Sequence, residues 1–255
     1  IRWVPCEGAP KGADPWLCEV NGKAIFLQGV NFPPVLPNFA DTTKEMYRKR
    51  IETYRDLGLN IFRVNGVGFL ETETFYNLCD ETGIMVWQDA PLSSSGVDSY
   101  PPEDEQSIRD LSAIMASFID RRRHHPALIV WCGGNELMKV NEDGLGVPVD
   151  ESHPLIAAMG RVVREKDPSR RYLATTSTGP RFYAQPEDFG KGLHWDVHGP
   201  WKLAGTMDEW REYWKNDDAL FRSETGCPGA SPESIIRDYA GKLDPMPISA
   251  TNPLW

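Results

Sequence analysis

His125-Pro126-Ala127-Leu128-Ile129-Val130-Trp131-Cys132-Gly133-Gly134-Asn135-Glu136 is the stretch on which the reading of this chain turns. Its apolar run suits a strand buried on both faces, and it stops abruptly at two glycines, an amide and a carboxylate. In a barrel of parallel strands, a Glu at the C-terminal tip of a strand points into the mouth where chemistry is done. A second run, Ala219-Leu220-Phe221-Arg222-Ser223-Glu224, ends the same way. Two carboxylates on two strand tips are the minimum equipment for cleaving a glycosidic bond. The plainer alternative is a pair of N-capping or salt-bridged glutamates.

Further strand-like runs lie on either side: Ala24–Val30, Ile61–Val64, Ile84–Trp87, Tyr172–Ala174 and Leu193–Val197. Amphipathic segments separate most of them. The first is predicted from Thr43 to Leu57 with Gly58 as its stop, the second from Thr72 to Thr82 with Gly83 as its stop. A third is predicted from Glu103 to Arg123 and a fourth from Ser152, with Pro154 just inside it, to Lys166. Thr206-Met207-Asp208-Glu209 reads as a capping box, and Ser231-Pro232 opens the last helix. Strands alternating with helices imply parallel β-α units. No Gly-x-Gly-x-x-Gly follows the first strand, which removes the main argument for a dinucleotide fold. The expected fold class is therefore α/β, a (β/α)8 TIM barrel, with seven strands identified and no strand signal after Lys242. Asn21-Gly22 is a hairpin turn signal, placing a hairpin under the barrel.

A length of 255 residues suits one such domain. The net charge of −10 argues against a nucleic-acid partner, which needs concentrated Lys and Arg. The basic run Arg121-Arg122-Arg123-His124-His125 closes a helix, where cations offset the dipole. No apolar stretch approaches the length of a membrane span, and no signal-peptide pattern opens the chain. Cysteines 6, 18, 79, 132 and 227 lack metal-ligand spacing. Cys79 and Cys132 are expected as small core hydrophobes, Cys6 and Cys18 as a pair able to bridge in a secreted protein. Cys227, near Glu224, has no His placed to activate it. No Asn-x-Ser/Thr acceptor occurs, so the compartment stays open.

The strand tips carry Asn31, Arg63, Asn65, Asp89, Asn135, Glu136, His194, Trp195, Asp196, His198, Trp201 and Glu224. Wet strand ends account for one or two of these. The whole set, mixing carboxylates, amides, a guanidinium and indoles, is what a sugar needs: planar partners for hydroxyls and aromatic faces for ring C–H groups.

These residues stand in longer motifs: Val20–Asn31 at barrel entry, Asn60-Ile61-Phe62-Arg63-Val64, Phe69–Asp80, Gly83–Asp89, Trp131–Glu136 and Phe221–Gly226. Over about residues 20 to 235 the chain resembles the catalytic barrel of glycoside hydrolase family 2, most closely its β-mannosidase-like branch. The resemblance implies a retaining hydrolase with Glu136 as acid/base and Glu224 as nucleophile. It implies that Asn135 bonds the sugar 2-hydroxyl, that Arg63 supports Glu224 and keeps it ionised, and that Asp89, Trp195 and Asn31 line the subsite. His198, Trp201 and Asn65 complete the expected substrate-binding set. It also implies that residues 1–18 end a preceding β-sandwich domain, with the barrel over 19–255 lacking its last βα unit. Trp3, Trp16 and the Pro-rich tail are then expected to contact other domains.

The expected substrate is a terminal β-mannoside, handled without metal or organic cofactor. Two features depart from the β-mannosidase pattern. Strand six reads His194-Trp195-Asp196-Val197-His198-Gly199-Pro200-Trp201, and Asn65 stands where a Trp is usual. The stretch Ser223–Gly229 resembles the exo-β-glucosaminidase branch, which keeps that sugar open as the alternative. Two rivals of other kinds are a catalytically inert carbohydrate-binding fragment and a metal-dependent hydrolase using His194 and His198.

Overall fold

The computed structural model describes residues 1–93, 99–140, 146–202, 205–226, 229, 231–249 and 251–254. Strands β1 (Arg2–Val4), β2 (Leu17–Val20) and β3 (Lys23–Ile25) form an antiparallel sheet, its hairpin turned at Asn21 and Gly22, both with positive φ. The expected strand Ala24–Val30 is thus divided, and only β4 (Gly29–Asn31) joins the barrel. The reason is Asn60. Its side chain accepts the Gln28 N–H at 3.0 Å and donates to the Phe26 carbonyl at 2.8 Å, so residues 26–28 satisfy their backbone on a side chain instead of a ladder.

Chain order continues α1 (Lys44–Asp56), β5 (Ile61–Val64), α2 (Glu73–Thr82), β6 (Met85–Asp89), α3 (Glu105–Arg122) and β7 (Leu128–Cys132). Then follow β8 (Met138–Val140), β9 (Gly146–Pro148), α4 (Pro154–Lys166), β10 (Arg171–Leu173) and β11 (Gly179–Pro180). Last come β12 (His194–His198), α5 (Met207–Asn216), β13 (Phe221–Glu224) and α6 (Glu233–Tyr239). Five strands, β4-β5-β6-β7-β10, pair in parallel, and β12 pairs in parallel with β13. These seven are the expected barrel strands. Among the described residues no strand follows β13. The β8–β9 hairpin and β11 were not expected from sequence.

Helix ends follow from local chemistry. Thr43, Thr72 and Asp104 each accept a backbone N–H of the first turn, and Thr206 with Glu209 makes the reciprocal capping box. Gly83 ends α2 at φ 74°, where a Cβ would be strained. The cap of α4 is His153, one residue later than expected, because its ring Nδ1 accepts the Leu155 N–H.

Period-2 alternation sorts the strand side chains. Phe62, Val64 and Val86 face outward into the core shared with the helices, beside Tyr47, Ile51, Phe75, Leu78 and Met115. Ile61 and Trp87 face inward, and their partners two residues on, Arg63 and Asp89, carry the polar top of the same face. The barrel floor is closed by Trp16, which stacks on Phe221 at 4.6 Å while the Arg171 guanidinium lies 4.3 Å from its ring. Trp16 is only 3% exposed, so its partners lie in this chain and not in another domain. Between the inner edges of β4 and β13 a cavity of about 290 Å³ runs from Leu27 up to Glu224.

Cys6, Cys18, Cys79 and Cys132 are free thiols; burial pushes Cys79 and Cys132 well above the ordinary thiol range, as fits inert core residues. Cys227 lies outside the described residues. Arg122 is buried rather than dipole-facing, its guanidinium donating to the Glu71 carbonyl and pairing with Glu73 at 2.7 Å. No described helix is long and apolar enough to cross a membrane.

Candidate active site

Glycine explains how Glu136 reaches the barrel mouth. A Cβ on Gly133 would sit 2.4 Å from the Ala174 carbonyl, and one on Gly134 would sit 2.6 Å from that of Leu92. Backbone therefore threads between its neighbours. Asn135 N–H donates to Leu92 O at 2.8 Å, Glu136 N–H to Thr176 O at 2.6 Å, and Glu136 takes φ 54°. Such a conformation is uncommon for a residue with a side chain and aims this one off the strand axis.

Glu224 ends β13 on the facing wall. Its Oε2 accepts from Asn31 Nδ2 at 3.1 Å and Arg63 Nη1 at 3.3 Å, and its Oε1 accepts from Trp201 Nε1 at 2.9 Å. Burial opposes its ionisation. The charge His198 carries when protonated, the Arg63 charge and the Trp201 and Asn31 hydrogen bonds outweigh that, so the pKa lies below the usual glutamate value. One carboxylate oxygen of Glu136, one of Glu224 and a ring nitrogen of His198 lie within 4.8 Å of one another. Each carboxyl side chain is 20% exposed, open to the mouth yet walled on most sides.

Arg63 is the hub. Its Nη2 donates to Asp89 at 2.9 Å, Asn135 Oδ1 at 2.6 Å and Thr176 Oγ1 at 2.6 Å, and its Nη1 reaches Asn31 Oδ1 at 3.2 Å. Burial would lower its pKa; the acidic groups around it, Asp89 foremost with both its charge and its hydrogen bond, together outweigh that and raise it. Asp89 is itself fully engaged, receiving Trp87 Nε1 at 2.8 Å and Gly66 N–H at 3.0 Å.

The expected residues divide accordingly. Asn31, Arg63, Asp89, Asn135, Glu136, His198, Trp201 and Glu224 share one network. Trp195 stands apart: three residues before the end of β12, it packs against the Trp16 floor cluster and donates to the Gly192 carbonyl at 3.1 Å. Asn65 occupies the turn after β5, its carbonyl accepting Gly68 N–H, and among the described residues no hydrogen bond links its side chain to the network. His198 is wholly buried, with Nδ1 2.8 Å from Glu136 Oε1 and Nε2 3.0 Å from Ser223 Oγ.

The sequence reading missed Thr176 and Ser223 as members of the network, and Tyr183, whose ring meets Trp201 edge-on at 5.5 Å. Tyr183 and Trp201 are the partly exposed aromatic faces beside the carboxylates. His194 does not join His198: four residues apart on a strand they are separated by roughly 13 Å. The His194 ring is held by Asp218 at 2.7 Å instead. Among the described residues only two groups of acidic and imidazole side chains converge, Glu73/His124/His125 and Glu136/His198/Glu224, and His194 belongs to neither.

A parallel barrel whose fourth and seventh strands deliver converging glutamates is the arrangement shared by a large class of glycoside-cleaving enzymes. The model of "Glycosyl hydrolases family 2, TIM barrel domain" matches residues 16–214. The chain belongs to that family. It is 36% identical over 247 residues to a β-mannosidase of Capra hircus, covering 89% of this chain and 26% of that protein. It is 37% identical over 240 residues to β-mannosidase B of Aspergillus clavatus, covering 87% and 26%. The crystal structure of β-D-mannosidase from Dictyoglomus thermophilum superposes with a TM-score of 0.70 at 25% identity, over 91% of this chain and 27% of that one. The chain thus spans about a quarter of the length of these relatives.

Proposed function

We propose that this barrel is the catalytic domain of a retaining β-glycosidase acting on terminal β-mannosides. The observation that carries it is the convergence of Glu136 and Glu224 oxygens within 4.8 Å. Retaining enzymes hold their carboxyl groups about 5–5.5 Å apart, inverting ones about 6.5–9.5 Å, a gap that admits a water. The shorter spacing favours direct attack by one carboxylate.

Glu224 is the nucleophile and Glu136 the acid/base. As a Glu224 oxygen forms its bond to the anomeric carbon, the bond from that carbon to the glycosidic oxygen breaks, and the Glu136 proton passes to the departing oxygen. Glu136, now ionised, then takes a proton from water, whose oxygen bonds to the anomeric carbon and releases Glu224. Asn31, Arg63 and Trp201 keep Glu224 charged and oriented. Asn135, fixed by Arg63, is the residue assigned to the sugar 2-hydroxyl, and Trp201 with Tyr183 offers aromatic faces to the ring.

The β-mannosidases among its relatives support mannose. The Ser223–Gly229 sequence supports β-glucosaminide as the second reading. Hydrolysis of aryl β-mannoside, β-glucosaminide, β-glucoside, β-galactoside and β-glucuronide by the full-length protein, beside Glu224→Gln, tests both. Turnover of the mannoside, abolished in the variant, is the expected result. Preference for the glucosaminide would move the sugar; turnover surviving Glu224→Gln would remove the mechanism.

A further inference from the structure

Behind Glu136 lies a buried chain of groups that the two-carboxylate mechanism does not use. Asp196 is fully buried, and burial pushes its pKa up, opposed by His198 and by hydrogen bonds from Ser223 and Thr178. Its Oδ1 accepts the Ser223 N–H at 2.8 Å; its Oδ2 accepts the Thr178 N–H and the Ser223 hydroxyl, both at 2.9 Å. The Ser223 oxygen faces His198 Nε2 at 3.0 Å, and His198 Nδ1 faces Glu136 Oε1 at 2.8 Å.

For a His198 ring that holds a single proton, donor and acceptor counting places the protons along this line. A hydroxyl has one proton, and Ser223 gives it to Asp196. Toward His198 it can only accept, so Nε2 carries a proton. A neutral ring protonated on Nε2 has a bare Nδ1, which is an acceptor. The 2.8 Å contact to Glu136 is then a hydrogen bond only if Glu136 supplies the proton. We propose that Asp196 and Ser223 are positioning residues that, through the His198 tautomer, hold on Glu136 the proton it donates to the leaving group. Asp196 is closed off from the mouth, and both residues act through His198.

The proposal rests on Glu136 acting as the acid/base, and leaving-group dependence separates the two. A general acid matters most when the departing oxygen is strongly basic. Ser223→Ala frees Nε2, and Asp196→Asn keeps the shape while putting an amide donor opposite the Ser223 oxygen, turning the hydroxyl proton toward His198. The probes are methyl β-mannoside and 2,4-dinitrophenyl β-mannoside, read as kcat/KM in the full-length protein.

Both variants are expected to lose at least about 30-fold on the methyl glycoside, since general acid catalysis supplies about 10²–10⁴-fold, and under about threefold on the dinitrophenyl glycoside. Ser223→Thr, which restores a hydroxyl, is expected to recover the methyl glycoside. Equal losses on both substrates, or no loss on either, in the two variants would overturn the relay while leaving the hydrolase intact. Glu224→Gln serves as the control on the underlying reading: if it turns over both glycosides at the native rate, that reading falls and takes the relay with it.

Discussion

Arg63 Nη2 stands 2.6 Å from Asn135 Oδ1, joining the tip of β5 to the residue that precedes Glu136. The same guanidinium reaches Asp89, Thr176, Asn31 and Glu224. The two carboxylates are thereby positioned by one planar cation from opposite sides of the mouth.

Lysine cannot copy that fork, because its ammonium is a point charge on a flexible stem. Arg63→Lys is expected to lower kcat/KM by at least about 100-fold and, by leaving Asp89 imperfectly paired in a buried site, to cost about 3–5 kcal/mol of stability. Steady-state kinetics and denaturant unfolding check the two effects. A variant of native stability and activity would show that the hub is dispensable.

The acid side of the pH profile follows from Glu224. A nucleophile must be ionised, and its folded pKa is depressed, so activity persists until pH falls through a value below the ordinary glutamate figure of about 4.3. The stability Glu224 contributes runs the same way: it is present above the unfolded pKa and lost as pH falls through the folded one. Trp201→Phe removes the Nε1 donor to Oε1 and is expected to move the acid limb of kcat/KM upward. A limb unmoved by that substitution would mean the indole does not support the charge.

Gly133 is required by the space around it. Gly133→Ala places a methyl 2.4 Å from the Ala174 carbonyl and 2.7 Å from the Tyr172 hydroxyl, and backbone on that side cannot swing away. The expected cost is about 1–3 kcal/mol by overpacking, with a larger fall in activity because Glu136 follows three residues later. Unfolding midpoints and kcat/KM of the alanine variant test it.

Trp16 anchors the amino-terminal sheet under the barrel, stacked on Phe221 and within 6.3 Å of Trp87. Trp16→Ala is expected to cost about 3–5 kcal/mol, read by denaturant unfolding, and to weaken near-ultraviolet aromatic dichroism. A loss below 1 kcal/mol would show that the floor repacks.

Much of this was readable from sequence where one residue type has one use. Thr72 with Gly83 marks a helix at both ends, and a carboxylate closing an apolar run marks a strand tip. Other features depend on register, which composition does not carry. Trp195 shares its motif with His198 but sits three residues deeper, so the same strand sends one to the floor and the other to Glu136. Ser223 stayed hidden beside Glu224 because its role exists only once β12 brings Asp196 and His198 alongside β13. Asn60 divided an expected strand through side-chain hydrogen bonds from another turn of the chain, a long-range event without a local signal.

Among the described residues, β13 pairs with β12 and β4 with β5, and side chains of the two strand tips meet across the mouth. The Glu224 carboxylate joins them, taking Asn31 and Arg63 from the far side. The group assigned to attack the sugar is also a latch between two strands. Chemistry that converts it to an ester would remove its charge from Asn31 and Arg63 once in every turnover, so these hydrogen bonds between strand tips would weaken and re-form with the catalytic cycle.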